Sequence, residues 1–451
     1  MEKLKDSTYL FEKQPVPSAL WTMAVPTIIG QIIVLIYNMA DTFYVGRTGD
    51  PSIVAGVSLI LPVFNTVLAL SNISVVGGSN YISRLLGMGR ADEAKRVSSF
   101  CIYLAMSIGA VTSVLMLLFM EPVLRFLGAG ENTLPHAKQY VLWVIVVGGI
   151  PTMLSNTMSG LLRSVGSSKE AGFGVAMGGI LNIFLDPLFM FVILPHGREA
   201  MGVGMATCLS STAACLYYVL VIYRRRYSGV ISFRPTKPER EGIRQVLSVG
   251  LPACITMFLF DVDYMIIDKL IAGYGDVPLA AIGIVLKAER LPTNVGVGLC
   301  QGMDPIMGYN YEAKNYKRMR DTMKCAIVAG ILFSVVAIAL YEIFAENIMR
   351  FFISDAQTVA IGAKFLRARS PATMMMFLSF VVVHAFNAQG KGNMALRMGL
   401  VRWLLLNIPM LFILNSFFGM SGVVWTQFVA DSINTALSHT FYHQYDKKLP
   451  A

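Results

Sequence analysis

"RRRYSGVISFRPTKPEREGIR", residues 224–244, is the only long polar stretch inside a chain of 451 residues that is otherwise a succession of apolar runs. Each run is long enough for a helix of about 20 residues to cross a bilayer core. Twelve candidate spans lie near 19–45, 53–80, 98–120, 138–162, 171–194, 202–223, 246–272, 278–305, 325–345, 370–388, 396–417 and 420–441, six on each side of the polar stretch. The chain is 55% hydrophobic and 14% charged, against about 25% charged residues in soluble proteins, and its mean hydropathy is +0.60. This excludes a soluble globular protein. The opening "MEKLKDSTYLFEKQPVPSAL" is polar for too long to be a cleaved signal peptide, and none is expected.

The two sides of residues 224–244 read as copies of one unit. Pro26 pairs with Pro252, and the Gly49-Asp50 turn with Gly275-Asp276. "LLGMGRADEAKR" resembles "IMGYNYEAKNYKR", with Gly87 against Gly308. Pro151 pairs with Pro371, Gly166 with Gly390, Pro187 with Pro409 and Gly202 with Gly422, the offset staying between 220 and 226. An even number of spans per copy gives both copies the same orientation, related by an axis along the membrane normal, with a cavity between them. The expected fold is therefore an all-α membrane protein of twelve helices in two six-helix lobes, residues 1–230 and 231–451. Two lobes that can rock against each other are transporter architecture.

The formal charge of +10 does not indicate a nucleic-acid partner, because 25 of the 37 Lys and Arg residues fall on one set of alternate loops. They include Arg84, Arg90, Lys95, Arg96, Arg163, Lys169, seven residues of the central loop, Lys314, Lys317, Arg318, Lys391 and Arg397. The positive-inside rule then places both termini and the central loop in the cytoplasm of a plasma membrane. The six cysteines lie in or beside apolar spans without a C-x-x-C pair and read as small buried hydrophobes.

Polar residues inside the spans are the candidate machinery, since a charge at mid-membrane costs roughly 2.5–3.5 kcal/mol. "NIFLDP" places Asn182 and Asp186 one helical turn apart on one face, directly before Pro187. Asp186 either bends its helix beside the proline or, with Asn182, offers hard oxygen ligands to a proton or Na⁺. The equivalents in the second copy are Leu404 and Ile408. The proline was kept twice and the polar pair once, which favours a site over a bend. Asp41, with Tyr37 and Asn38 on the same face of span one, is a partner if it is not simply at the membrane surface. Thr207 in span six and Gln31 after Pro26 are weaker candidates, for which back-bonding and helix packing are the competing roles. Span seven holds Asp261, Asp263 and Asp268, and span ten holds His384 and Asn387. At least one acid of span seven is expected to face the central cavity and attract cationic cargo, unless the acids pair with Lys269, Lys287 or Arg290.

"FEKQPV", "VPTIIG", "YISRLLGMG", "LRSVGSS", "NIFLDP", "GLPACI" and "MGYNYEAKN", set in the duplicated plan, resemble the multidrug and toxic compound extrusion (MATE) transporters, most closely their MepA-like multidrug efflux branch. The resemblance covers nearly the whole chain. It implies a cation- or proton-coupling site at Asp41, Asn182, Asp186 and Thr207 in the first half, and a first-helix proline, here Pro26, that bends with protonation. It also implies an H⁺- or Na⁺-coupled antiporter of amphipathic, often cationic drugs, working as a monomer without a cofactor in a bacterial plasma membrane. Span ten lacks the acid that one branch of the family uses in the second half. The cargo cavity is expected to draw on Gln31, Tyr37, Asn38, Asp261, Asp263, His384 and Asn387. A flippase for a lipid-linked saccharide shares the duplicated plan and is the alternative, but it calls for a cationic cavity. No G-x-x-x-x-G-K-[ST] occurs, so ATP is not the expected energy source. His439 and His443 have metal-ligand spacing but no third ligand nearby, and no metal centre is expected.

Overall fold

The computed structural model describes residues 8–224 and 230–450, and all of its regular structure is helical. Lys3, Lys5, Arg225 and Arg226 lie outside the described residues. The first lobe contains α1 (Val16–Gly46), α2 (Pro51–Gly87), α3 (Ala91–Leu118), α4 (Leu134–Val147 continued by Gly149–Ser164), α5 (Ser168–Ile193) and α6 (Glu199–Arg224). The second contains α7 (Arg240–Ala272), α8 (Asp276–Glu312), α9 (Tyr316–Phe352) and α10 (Ala356–Arg369 continued by Ala372–Ala388). It ends with α11 (392–418) and α12 (420–446).

By length and apolarity, eight of these helical runs qualify as spans, and ten if each bent pair is one span. The twelve-span reading of the sequence differs in two places, each for a physical reason. Helix α8 carries Asp276, Lys287, Glu289, Arg290 and Asp304, and is too polar to be recognised by apolarity. Residues Gly392–Asp446 form one continuous run of 55 residues. At 1.5 Å per residue such a run is far longer than a bilayer core of about 30 Å, and it turns at Gly419, whose φ of 58° is open to glycine.

The duplication is visible in the backbone. Gly49 and Gly275 both have positive φ, as do Gly166 and Gly390. Helices α4 and α10 bend by similar angles, 47° and 44°. The second bend falls at Ser370-Pro371, where the proline has no N–H to give to the carbonyl one turn back and its ring crowds that carbonyl.

The buried apolar clusters shared by the two lobes lie toward one end, and polar contacts such as Asn65 Nδ2 to Asp261 Oδ1 join the lobes further along. One buried cluster joins Tyr81, Ile82 and Leu85 of the first lobe to Val246, Ile306 and Tyr309 of the second. Another joins Leu20 and Ala24 to Leu299, Met303 and Met307. Both lie toward the end that carries the termini and the central loop, here called the basic end. The two remaining clusters, one built around Val57, Tyr140 and Val144 and the other around Ile267, Val285 and Leu366, each belong to a single lobe. Glycine makes the shared contact close. A Cβ at Gly77 would collide with the carbonyl of Val246, and one at Gly87 with that of Tyr309. The central loop is fastened to the first lobe: Ser98 Oγ donates to Val230 O at 2.9 Å and Ser99 Oγ to Arg234 O at 2.6 Å.

Candidate cation site

Helix α5 presents Gly172, Gly179 and Asp186 at intervals of seven residues, so all three share one face. That face lies on α1. A Cβ at Gly172 would collide with the carbonyl of Pro26, and one at Gly179 would stand 2.7 Å from Ile33 Cγ2 and 3.0 Å from the Tyr37 ring. The two glycines draw the backbones together and aim the third residue of the series at α1. Asp186 is fully buried, and Asn182 is 2% exposed. The Asp186 carboxyl lies against that of Asp41, with Tyr37 in Coulombic reach of both.

Asn182 Nδ2 donates to Thr207 Oγ1 at 3.5 Å, and the threonine hydroxyl donates to Val203 O at 3.1 Å. The amide nitrogen of Asn182 is thus directed to α6. Among the described residues no donor reaches Asn182 Oδ1, Asp41 Oδ1 or either oxygen of Asp186, although all four atoms are buried. Two carboxylates cannot satisfy one another without a proton or cation between them. Four buried hard oxygens without donors fit a proton or a small hard cation such as Na⁺. The structure therefore brings Asp41, Asn182, Asp186 and Thr207 together. Just past Pro187 the helix widens into a π-helical turn, Leu188–Ile193, a form frequent at functional sites.

Tyr140 of α4, 5% exposed and in Coulombic reach of both carboxyls, completes the surroundings. Nothing in the sequence singles it out, because it sits at the start of an apolar run with no acid near it in sequence. In the second lobe, Leu404 occupies the position equivalent to Asn182 and is 47% exposed.

The expected cargo residues separate into groups. Gln31 spans the lobes, its Nε2 donating to Gln301 Oε1 at 3.4 Å, and Asn294 Nδ2 donates to Gln31 O at 3.5 Å. Asp261 also faces the other lobe, accepting from Asn65 Nδ2 at 3.2 Å, with Arg290 in Coulombic reach. Tyr37 belongs to the carboxylate pocket, while Asn38 is exposed on α1. Asn387 is 5% exposed, and His384 Nδ1 lies 2.9 Å from Asp304 Oδ2 on α8. Asp263 does not face the cleft. It is fully buried inside the second lobe, where Asn407 Nδ2 donates to it at 2.9 Å.

That interior holds a charge network absent from the sequence reading. Arg402 forms a two-pronged pair with Asp431 at 2.7 and 3.0 Å, and Gln427 Nε2 donates to the same carboxylate at 2.6 Å. Arg369 does likewise with Glu289 at 2.7 and 2.9 Å. Fixed guanidinium groups supply the counter-charge to Asp431 and Glu289 in this lobe.

A duplicated helical bundle sized for a membrane, with two buried carboxylates side by side in its first copy, is the make-up of a membrane transporter. The MatE family profile matches residues 26–188 and again 252–413, and the chain belongs to this family of transporters, which are not enzymes. The multidrug export protein MepA of Staphylococcus aureus (strain N315) is 30% identical over 431 residues, covering 95% of this chain and 94% of that one. MepA of Staphylococcus saprophyticus is 27% identical over 428 residues, with the same shares covered. Among solved structures, the outward-facing conformation of a multidrug resistance MATE transporter of the MOP superfamily superposes with a TM-score of 0.93 at 22% identity, over 99% of both chains. A MOP superfamily transporter from Pyrococcus furiosus gives 0.92 at 22% identity, over 99% of this chain and 98% of that one.

Proposed function

We propose that the protein is a secondary antiporter that expels amphipathic, often cationic compounds from the cell in exchange for H⁺ or Na⁺. The observation that carries this reading is the set of buried oxygens on Asp41, Asn182 and Asp186, which lack donors; the second-copy equivalents of Asn182 and Asp186, Leu404 and Ile408, carry no side-chain oxygen. Holding two carboxylates in a poorly hydrated pocket is costly, so the pocket captures a proton or cation when the cleft admits one. The basic end faces the cytoplasm, as the lysines and arginines of its loops direct. The lobes are closed there, so the cleft between them opens outward. In this form the pocket loads from outside and cargo leaves. Return of the lobes delivers the cation inward and presents the cleft to new cargo. The MepA relatives, named as multidrug export proteins, support drug-like cargo, and Asp261 at the lobe boundary favours cations over the anionic head of a lipid-linked saccharide. The single chain holds both lobes and is expected to work as a monomer in a bacterial plasma membrane.

The test uses the purified protein in liposomes with Na⁺ and H⁺ gradients imposed separately. A lipophilic cationic dye should accelerate the decay of one of these gradients, and that gradient should drive uphill movement of the dye. Dye movement indifferent to both gradients would refute antiport.

A further inference from the structure

Helices α3 and α9 end in the same way. "FMEPVLRFL", residues 119–127, and "FAENIMRFF", residues 344–352, correspond at an offset of 225 and share the pattern F-x-E-x-x-x-R-F. In each copy the first phenylalanine breaks the helix with nearly the same backbone angles: φ −110°, ψ 18° at Phe119 and φ −105°, ψ 16° at Phe344. A short helical segment follows each break. Its inner side is fully buried, at Leu124 and Met349 respectively. Met349 seats on Gly362, where a Cβ would collide with its methyl group. On each segment the acid pairs with the arginine one turn on, Glu121 with Arg125 at 3.0 Å and Glu346 with Arg350 at 3.7 Å. The last phenylalanine projects outward, with Phe126 89% and Phe351 80% exposed.

We propose that these two elbows are membrane-interface anchors, with Phe126 and Phe351 set into the boundary between headgroups and acyl chains of the leaflet opposite the basic end. Their occupant is phospholipid. Each exposed ring continues an outward apolar stripe of the preceding helix: Val111, Leu115 and Leu118 on α3, and Val336, Leu340 and Ile343 on α9, again 225 residues apart and all exposed. A stripe that faces acyl chains along its length leads, past the break, to a ring beside a paired acid and base. That order of apolar stripe, aromatic ring and charge is the profile of a membrane interface. Water against both rings would leave large apolar groups unburied in both copies, while the pattern that exposes them recurs residue for residue. The anchors brace each lobe at the same depth, so the lobes rock about matched points on the membrane surface.

Spin labels attached to cysteines at positions 126 and 351, in a cysteine-free protein reconstituted in liposomes, report depth through collisions with oxygen and with a water-soluble nickel chelate. Labels at Val111 and Glu131 mark the acyl region and the aqueous loop. The oxygen-to-nickel collision ratio at 126 and 351 should fall between these references, several-fold above that at 131, and should be equal at the two sites. A ratio matching position 131 at either site would overturn the proposal, as would a clear inequality between the two. Depth is read identically in either leaflet, so an error in the assigned orientation leaves this result unchanged, and no cargo or gradient is needed.

Discussion

Arg84 of the first lobe reaches across to Glu312 of the second, with Nη2 at 2.6 Å and Nε at 2.7 Å from the same carboxylate oxygen. Its Nη1 donates to Gln245 Oε1 at 3.0 Å. The pair is nearly shielded from solvent, with side-chain exposures of 10% and 19%. It lies at the basic end, where the N-terminal turn also bridges the lobes: Arg318 donates to the carbonyls of Leu10, Phe11 and Gln14. Glu12 accepts from the Tyr309 hydroxyl at 2.6 Å.

In the proposed cycle, opening of the cleft at the basic end separates Arg84 from Glu312 and Gln245, so these bonds stabilise the present form. A hydrogen bond to a charged group contributes about 1.5–3 kcal/mol, hence Glu312→Gln should shift the balance toward the other form by about tenfold or more. Spin-label distances between positions 88 and 317, exposed sites on opposite lobes, would show this as a longer population that grows in the variant. The paired exchange Arg84→Glu with Glu312→Arg should restore part of the short population. An unchanged distance distribution in Glu312→Gln would show that the pair does not hold this closure.

The α1–α5 seam yields a second expectation. Gly172 faces the Pro26 carbonyl so closely that alanine forces the helices apart, at a cost of about 1–3 kcal/mol for an overpacked contact. Gly172→Ala should lower thermal stability in detergent and weaken gradient-driven efflux, because Asp186 lies on the same face and would be drawn away from Asp41. Gly130→Ala, where an added Cβ meets nothing within 4 Å, is the control and should leave both readings unchanged.

The seam also marks how far the sequence could be read. The copies were legible because turns and prolines recur at nearly constant offset, and the Asn182/Asp186 pair because one helical turn is a local spacing. Arg402–Asp431 and Glu289–Arg369 were not, since each joins two different helices, at separations of 29 and 80 residues, and a charge inside an apolar run does not disclose its partner. Tyr140 was hidden for the same reason. Asp261 and Asp263, two residues apart on a helix, point about 200° from each other. Only packing decides which one enters the lobe, and here Asn407 claims Asp263.

That division predicts unlike phenotypes for neighbouring acids. Asp261→Asn should weaken binding of a cationic dye more than that of a neutral analogue, with stability little changed, because its carboxylate lies at the lobe boundary. Asp263→Leu strands the buried Asn407 amide and should cost about 1–3 kcal/mol of stability, lowering the midpoint of thermal unfolding without regard to cargo charge. Equal losses of both dyes in Asp261→Asn would assign that residue to structure.

The carboxylate pocket supports the sharpest prediction. Asp41 and Asp186 sit on different helices but share one unmet need, a proton or cation between oxygens that meet no donor. Asp41→Asn removes one charge and puts an amide donor beside Asp186, so the remaining carboxylate gains a fixed hydrogen bond and no longer needs the ion. Asp186→Asn does the same from the other side. Each variant should insert normally and bind dye in detergent, since the pocket lies inside the first lobe rather than at the lobe boundary, yet each should lose gradient-driven efflux. Residues that act as one unit are not additive, so the double variant should be no worse than either single one. Asn182→Leu removes a neutral oxygen only, and should weaken the dependence on cation concentration while some coupling persists. These outcomes are read from dye efflux in liposomes at fixed protein density, with pH and Na⁺ varied independently. A single variant that pumps at the unmodified rate with the same pH and Na⁺ dependence would remove that carboxylate from the coupling site. Should the residue be Asp186, its place beside Pro187 would then be explained by the helix bend alone.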